Sequence, residues 1–342
     1  MKLAGALAVP LLALVVVTVL EVVQSARDAE RVRQQTALAE ASVGPVSLLS
    51  MLENERNAAA VYLLAQEANF ALPVKDNAEA RLTVDETLAG FRDEVQSQGG
   101  EIADAYRPAL DQMGELEGLR TEVDAVPDGQ RGLDNIVAVS ENFDGYTAVM
   151  DALFVANKRV ALAIDDADLR RGAELVDLSA RQTDIIAILV RDLLLAAVGG
   201  DDANGVDTAD EVSTVSRHLG ELRSNERLIA TKGTGMYRPH VEALFAAEEI
   251  QRFPQVVDEA LATTQVDLDG VITYSAGEDP DTYGYSVFRQ SVTESLSDKA
   301  DELEAAATAR QRWFLVLALV PCRSPASSPG WCRGRSPSRC GH

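Results

Sequence analysis

Apolar residues recur at intervals of three and four along most of the chain, between two more continuously apolar ends. This spacing places them on one side of a helix, and no run of alternating Val, Ile, Thr or Tyr indicates a strand. We therefore predict an all-α fold, with helices of roughly 20–35 residues separated by glycine and proline. The predicted breaks lie at Gly44-Pro45, Leu72-Pro73, Gly99-Gly100, Pro127 to Gly129, Gly199 to Gly205, Gly233 to Gly235 and Asp267 to Asp281.

The N-terminal end is uncharged from Leu3 to Leu20. A helix needs about 20 apolar residues to cross a membrane, so residues 1–23 are predicted to form a transmembrane helix. The alternative is a cleaved signal peptide, with Ser25 and Ala26 at the cleavage site. In either case the helical body that follows covers residues 24–311.

The C-terminal end begins like a second transmembrane helix at Trp313, but this apolar run stops at Pro321. Residues 312–321 are thus predicted to be a truncated span, because eight apolar residues cover roughly 12 Å of a hydrocarbon core of about 30 Å. Residues 322–342 are rich in Arg, Pro, Ser, Gly and Cys and show no hydrophobic pattern. Our hypothesis is that this tail is out of frame; the alternative is a genuine short disordered tail.

The chain is strongly acidic, with 54 Asp and Glu against 31 Lys and Arg and a formal net charge of -23. Nucleic-acid binders need clustered Lys and Arg to contact phosphates, so we predict no nucleic-acid partner. The three histidines assemble neither a metal site nor a nucleophile–base pair, and all three cysteines lie in the tail. We therefore predict no catalytic residue, no metal, no cofactor and no enzyme activity in this chain.

Two arginines stand out because they interrupt apolar helix faces. Arg56 follows Leu52 by four residues and precedes Leu63 by seven, and Arg191 lies in a segment that is apolar nearly all round. The guanidinium group is planar, always charged and offers donors in a fixed fork, which suits a small trigonal or bent oxyanion. The alternative interpretation is a structural ion pair, with Asp192, Glu53 or Glu55 as the partner.

The segments around these arginines resemble the signatures of a known family. Glu53-Asn54-Glu55-Arg56 leading to Tyr62-Leu63 is similar to the first signature of the nitrate- and nitrite-sensing (NIT) domain, a Glu-Arg pair in a helix that ends in Tyr-Leu. Val190-Arg191 followed by Asp192 to Val198 is similar to the second signature, with Val190 where Glu is usual. The helix predicted from Ser286 to Arg312 resembles the closing helix of the family. The resemblance covers about residues 40–312.

The resemblance implies two stacked antiparallel four-helix bundles with long helices. It also implies that nitrate or nitrite binds between helices at Arg56 and Arg191. NIT domains commonly lie between two transmembrane helices of bacterial sensor histidine kinases and chemoreceptors, and such sensors usually work as homodimers. Arg217 to Arg223 differs by two inserted residues from the phosphoacceptor sequence of these kinases, so we interpret His218 as a surface helix residue.

We therefore predict the extracytoplasmic ligand-sensing region of a two-component sensor histidine kinase in the cell membrane, with the kinase domain absent from this chain. Its predicted partners are a small inorganic anion, the membrane and a second copy of itself. The alternative from another functional class is a membrane-anchored or secreted helical scaffold for protein–protein interaction. A scaffold should tolerate Arg→Lys changes at both arginines, whereas a sensor should lose anion affinity.

Overall fold

The computed structural model describes residues 2–64, 77–127, 132, 136–199, 209–276 and 284–319. The described residues form α-helices and short 3-10 turns and contain no strand, so the predicted all-α class is confirmed. The α-helices of this part of the chain are α1 (Lys2–Val43), α2 (Pro45–Leu64), α3 (Asn77–Gln98), α4 (Gly100–Gln112), α5 (Leu116–Asp124), α6 (Ile136–Leu162), α7 (Ala167–Gly199), α8 (Ala209–Lys232), α9 (Arg238–Ala246), α10 (Glu248–Thr263), α11 (Leu268–Ala276) and α12 (Gly284–Leu319).

The chain divides into two compact units, and the candidate site belongs to the larger one. One unit joins Met1–Val32 to Leu303–His342, and the other is Arg33–Glu302. Several predicted features fall outside the described residues, namely the break at Leu72-Pro73, most of the break that begins at Gly199, and the tail 322–342.

The predicted location in the cell membrane was wrong. The apolar N-terminal stretch is the start of one long helix, α1, which continues without a break through charged residues such as Glu21, Arg27 and Arg31 to Val43. Within the residues that the structure describes, no helix is both long enough and apolar enough to cross a membrane.

A first group of helices packs around α2 and α6. Helix α2 contacts α3, α6 and α7, while α4 and α5 pack against α6. Leu48 and Leu52 are fully buried on one face of α2, and the next positions of the same face bury Ala59 and Leu63. This face is the apolar stripe that the sequence predicts. Gly145 lets α5 approach α6 closely, because a Cβ atom at this position would overlap the side chain of Leu119.

A second group of helices packs around α7 and α8. Helix α8 contacts α7 and α10, and α11 contacts α7 and α10. Tyr285, Phe288 and Val292 of α12 complete this core, in which they are at most 2% exposed. Leu189 and Leu193 of α7 belong to the same core. Helix α7 thus packs against both groups, since it also contacts α2 and α6.

Local sequence fixes the start of α7. Asp166 precedes the helix, and its Oδ1 atom accepts hydrogen bonds from the backbone N–H groups of Asp168 and Leu169, each at 3.0 Å. A carboxylate in this position satisfies N–H groups that have no partner within the helix and favours the positive end of the helix dipole. This cap sets where α7 begins and hence the register of the residues that it carries further on.

Glu226 on α8 is a titrating group within the second core. Burial raises the pKa of this carboxyl to about 7, and the nearby guanidinium of Arg223 opposes the shift. Its apolar neighbours include Ile186, Leu222 and Phe253. A carboxyl with a raised pKa holds its proton more tightly in the folded state than in the unfolded chain. Its contribution to stability is therefore present at acidic pH and is lost as the pH rises through about 7.

We predict that Glu226→Gln makes the stability of the protein less dependent on pH. Between about pH 5 and pH 8, wild type should lose stability as Glu226 becomes charged, whereas the variant should not. The difference in free energy of unfolding, variant minus wild type, should therefore increase by about 1–2 kcal/mol over this range, after allowance for partial exposure. Denaturant unfolding of both proteins at matched pH values measures this difference. A difference that stays constant across the range would contradict the buried position of the carboxyl.

Candidate anion site

Arg56 lies on the buried face of α2 and is fully enclosed, with 0% of its side chain exposed. Its Nη1 atom donates hydrogen bonds to Asp184 Oδ1 of α7 at 2.7 Å and to Thr147 Oγ1 of α6 at 2.9 Å. The guanidinium carbon lies 4.1 Å from the centroid of the Phe143 ring, which is also on α6. A charge without contact to water requires such partners, since an unpaired buried charge costs several kcal/mol.

The partners of Arg56 leave one edge of its guanidinium group open. The Nε and Nη2 atoms are buried and meet no hydrogen-bond acceptor within the described part of the chain. These two atoms form one side of the planar fork, so their N–H groups point the same way and match two oxygens of one anion. Buried donors without acceptors cost about 1–3 kcal/mol each, and more when they are charged. An anion that accepted both bonds would remove this cost.

Arg191 lies on α7 and reaches the same aromatic ring. Its guanidinium carbon is 4.7 Å from the Phe143 centroid. The separation of the two guanidinium carbons is therefore no greater than the sum of the two centroid distances, 4.1 and 4.7 Å. The structure thus brings Arg56 and Arg191 together, from positions 135 residues apart in the sequence.

Carboxylates hold Arg191 on more sides than Arg56. Asp192 Oδ1 accepts from Arg191 Nε at 3.0 Å and from Nη2 at 2.8 Å, and Asp144 of α6 accepts from Nη1. The arginine is also less enclosed, with 12% of its side chain exposed. The Nε and Nη2 atoms of Arg191 are therefore occupied by an internal carboxylate. The same two atoms of Arg56 have no acceptor among the described residues.

A second pair of charges borders the site and involves α12. Burial raises the pKa of Glu53, and the negative charge of Asp184 adds to the effect, while Arg56 and Arg289 oppose it. Burial also lowers the pKa of Arg289, against the stabilising charge of Glu53. Glu53 belongs to α2 and Arg289 to α12, so the electrostatic environment of Arg56 extends to the last helix.

Both arginines form ion pairs, but only one of them has a partner that the sequence indicated. Arg191 pairs with Asp192, one of the partners that the sequence indicated. Arg56 pairs with Asp184 and with neither Glu53 nor Glu55 in a direct contact. Tertiary packing decides this choice, because Asp184 belongs to a different helix and is 128 residues away.

Glu55 belongs to a separate, closed network. Both of its oxygens are held by Arg120, with Nε to Oε1 at 2.7 Å and Nη2 to Oε2 at 2.8 Å. The Tyr146 hydroxyl donates a third hydrogen bond to Oε1 at 2.6 Å. The carboxylate is 0% exposed, and this network ties α2 to α5 and α6.

Sequence reasoning missed the residues that position the two arginines. Phe143 and Thr147 are one helical turn apart on α6 and face Arg56 together, a spacing that is visible in the sequence but is shared by many core positions. The interpretation of His218 as a surface residue was wrong: it is 7% exposed, and its Nδ1 atom lies 2.6 Å from Asp192 Oδ2. Asp192 lies on α7 and His218 on α8, so no short sequence pattern could show this contact.

Among the described residues, no group of three or more His, Cys, Asp or Glu side chains could hold a metal ion. The polar groups that converge here are two guanidiniums, their carboxylate partners and a hydroxyl. This arrangement can bind an anion through hydrogen bonds.

Comparison with known proteins identifies the class. The chain belongs to the NIT family, nitrate and nitrite sensing, whose family model matches residues 47–313. Both Arg56 and Arg191 lie within the matched region.

The fold is also similar to a solved structure, that of the NasR transcription antiterminator. The TM-score is 0.59 at 15% sequence identity, and the similarity covers 86% of this chain and 80% of the other. That protein is a transcription antiterminator, whereas the sequence predicted a membrane receptor. No curated protein matches this chain.

We predict that Glu55→Gln destabilises the protein by about 2–4 kcal/mol, because it leaves the Arg120 guanidinium in a largely buried position without its bidentate partner. Denaturant unfolding measures the loss. Glu117→Gln on the exposed side of α5 is the matched control and should change stability by less than about 0.5 kcal/mol. Equal effects of the two substitutions would show that the Glu55 network does not hold these helices together.

Proposed function

We propose that the chain senses nitrate or nitrite by binding the anion at Arg56, with Arg191 as the second arginine of the site, and performs no chemical reaction. One observation carries the proposal: the Nε and Nη2 atoms of Arg56 are buried donors without an acceptor in the described residues. Membership of the nitrate- and nitrite-sensing family supports the choice of ligand.

The geometry of the open edge favours an oxyanion over a spherical anion. Nitrate is planar and nitrite is bent, and in each case two oxygens can accept the parallel N–H groups of Nε and Nη2. Chloride is spherical, so both N–H groups would have to converge on one atom, whereas an oxyanion offers each of them its own oxygen. The Phe143 ring covers the guanidinium from one side, which restricts the ligand to the plane of the fork.

Binding at this position can change the packing of helices. The anion would share Arg56 with Asp184 of α7 and compete with Asp192 for Arg191. Glu53, which is sensitive to the charge of Arg56, interacts electrostatically with Arg289 of α12. A ligand that interacts differently with two arrangements of these helices shifts the equilibrium between them. We propose that this shift is the signal and that α12 transmits it.

The arrangement of the helices in bundles is part of the same proposal. The arrangement as paired antiparallel four-helix bundles is supported by the family and by the two groups of helices around α2 and α8. The homodimer, the connection to a histidine kinase and the absence of a nucleic-acid partner stay predictions.

We predict that the full 342-residue chain binds nitrate and nitrite saturably in a calorimetric titration and that chloride does not replace them. Arg56→Lys should weaken the affinity at least roughly ten-fold, because lysine keeps the charge but loses the two-pronged hydrogen bond, worth about 1.5–3 kcal/mol. Arg191→Lys should also weaken binding.

Arg181→Lys is the matched control. Arg181 is an arginine of the same helix as Arg191 that lies over a phenylalanine, Phe154, at 4.5 Å and pairs with a carboxylate, Asp151, at 3.4 Å. It should leave the affinity unchanged. If the folded wild-type protein binds neither anion, both arginines are structural ion pairs, and a helical scaffold is the better account.

A further inference from the structure

His218 connects α8 to the proposed anion site through one carboxylate. Its Nδ1 atom lies 2.6 Å from Asp192 Oδ2, and the imidazole and the carboxylate are 9% and 8% exposed. The other oxygen of Asp192 accepts both hydrogen bonds from Arg191. A single carboxylate thus lies between an imidazole of α8 and a guanidinium of α7.

Asp192 blocks the edge of Arg191 that an oxyanion would use. It occupies Nε and Nη2, the pair of atoms that is open in Arg56. For Arg191 to bind an anion in the same two-pronged way, the hold of Asp192 on this edge must weaken. Any group that competes for Asp192, or compensates its charge, therefore affects anion binding.

The balance of charge at the site opposes anion binding, so another positive charge would strengthen it. The two guanidiniums of Arg56 and Arg191 are in contact with three carboxylates, those of Asp184, Asp144 and Asp192. Glu53 and Arg289 add one charge of each sign at the border of the site. Protonation of His218 would bring the three carboxylates into balance with three cations.

Charged groups on the helices around His218 form two further ion pairs. On α8, Arg217 pairs with Glu221 at 3.7 Å, and both are more than half exposed. On α10, Asp258 pairs with Arg223 of α8. On α7, the group in contact with the imidazole is Asp192, with Arg191 behind it.

We propose that His218 is a positioning residue of the anion site, whose protonated form draws Asp192 away from Arg191 and so strengthens the binding of nitrate. This inference rests on the proposed function. Histidine is the side chain that ordinarily gains its charge between about pH 5 and pH 8. Anion affinity should therefore rise as the pH falls through this range.

The test is the affinity of the full chain for nitrate, measured by calorimetry at several pH values from about 5.5 to 8. We expect wild type to bind nitrate roughly five-fold or more tightly at the acidic end. His218→Gln keeps a hydrogen-bond donor toward Asp192 but cannot become charged, so its affinity should stay near the high-pH value throughout. Asp192→Asn removes the competing charge, so it should bind more tightly than wild type at high pH and lose most of the pH dependence.

Two controls separate this effect from other titrations. His240 on α9 is bonded to Ser295 at 2.9 Å, and His240→Gln should keep the wild-type profile. Glu226→Gln should keep it as well, although this carboxyl changes charge near pH 7. Circular dichroism checks that each variant is helical, and the Asp192→Asn result tests the inference independently if His218→Gln does not fold.

The outcomes distinguish the two proposals. Nitrate binding that is independent of pH in wild type, or that keeps its pH dependence in His218→Gln, would overturn the role of His218 and leave the anion site intact. No nitrate binding at any pH would overturn the anion site itself and the role of His218 with it.

Discussion

A permanently charged guanidinium group is enclosed in the core, and the meeting of three helices depends on it. Arg56 of α2 is 0% exposed, and its partners come from two other helices, Asp184 from α7 and the hydroxyl of Thr147 from α6. Since removing one partner of a buried ion pair costs about 3–5 kcal/mol, α2, α6 and α7 cannot separate without a large loss of stability. Phe143 adds a ring that both arginines of the site contact. The helices are thus held together at the position of the proposed anion site.

Glu55, the neighbour of Arg56 in α2, is a buried charge with a structural role. Glu55 is as deeply buried as Arg56, but its two oxygens accept hydrogen bonds from Arg120 and Tyr146. Arg56 keeps two donors without acceptors among the described residues. Buried polar groups are nearly always satisfied, so an open pair on a charged group calls for an explanation. Burial and charge are therefore shared by both residues, and the number of satisfied hydrogen bonds distinguishes the structural ion pair of Glu55 from the proposed binding group of Arg56.

Local pattern and tertiary contact contributed differently to what could be predicted. The all-α class and the buried face of α2 follow from spacing along the chain, and Arg56 and Arg191 were noticed because each interrupts an apolar face. The partner of Arg56 could not be predicted, because Asp184, Glu53 and Glu55 are equivalent as charges and only the register of α7 against α2 selects one. For the same reason His218 was misjudged: its burial depends on where α8 packs against α7. The transmembrane prediction considered the apolar stretch alone, whereas the structure continues the same helix, α1, through charged residues to Val43.

The strength of a sensor's response depends on what the ligand replaces as much as on what it contacts. At Arg56 the proposed anion would fill an open edge, and its two charge-assisted hydrogen bonds would displace no protein partner among the described residues. At Arg191 the anion would have to replace Asp192. Only the difference between the interaction free energies of the anion and of the carboxylate with Arg191 would then contribute to affinity. A ligand that bound both arrangements equally would shift nothing, however tight its contacts. The asymmetry between one open and one occupied arginine supplies the required difference, since engaging the second requires Asp192 to move, and with it the contact between α7 and α8 at His218. In the proposed mechanism, internal competition at Arg191 would convert the presence of a small ion into a rearrangement of helices.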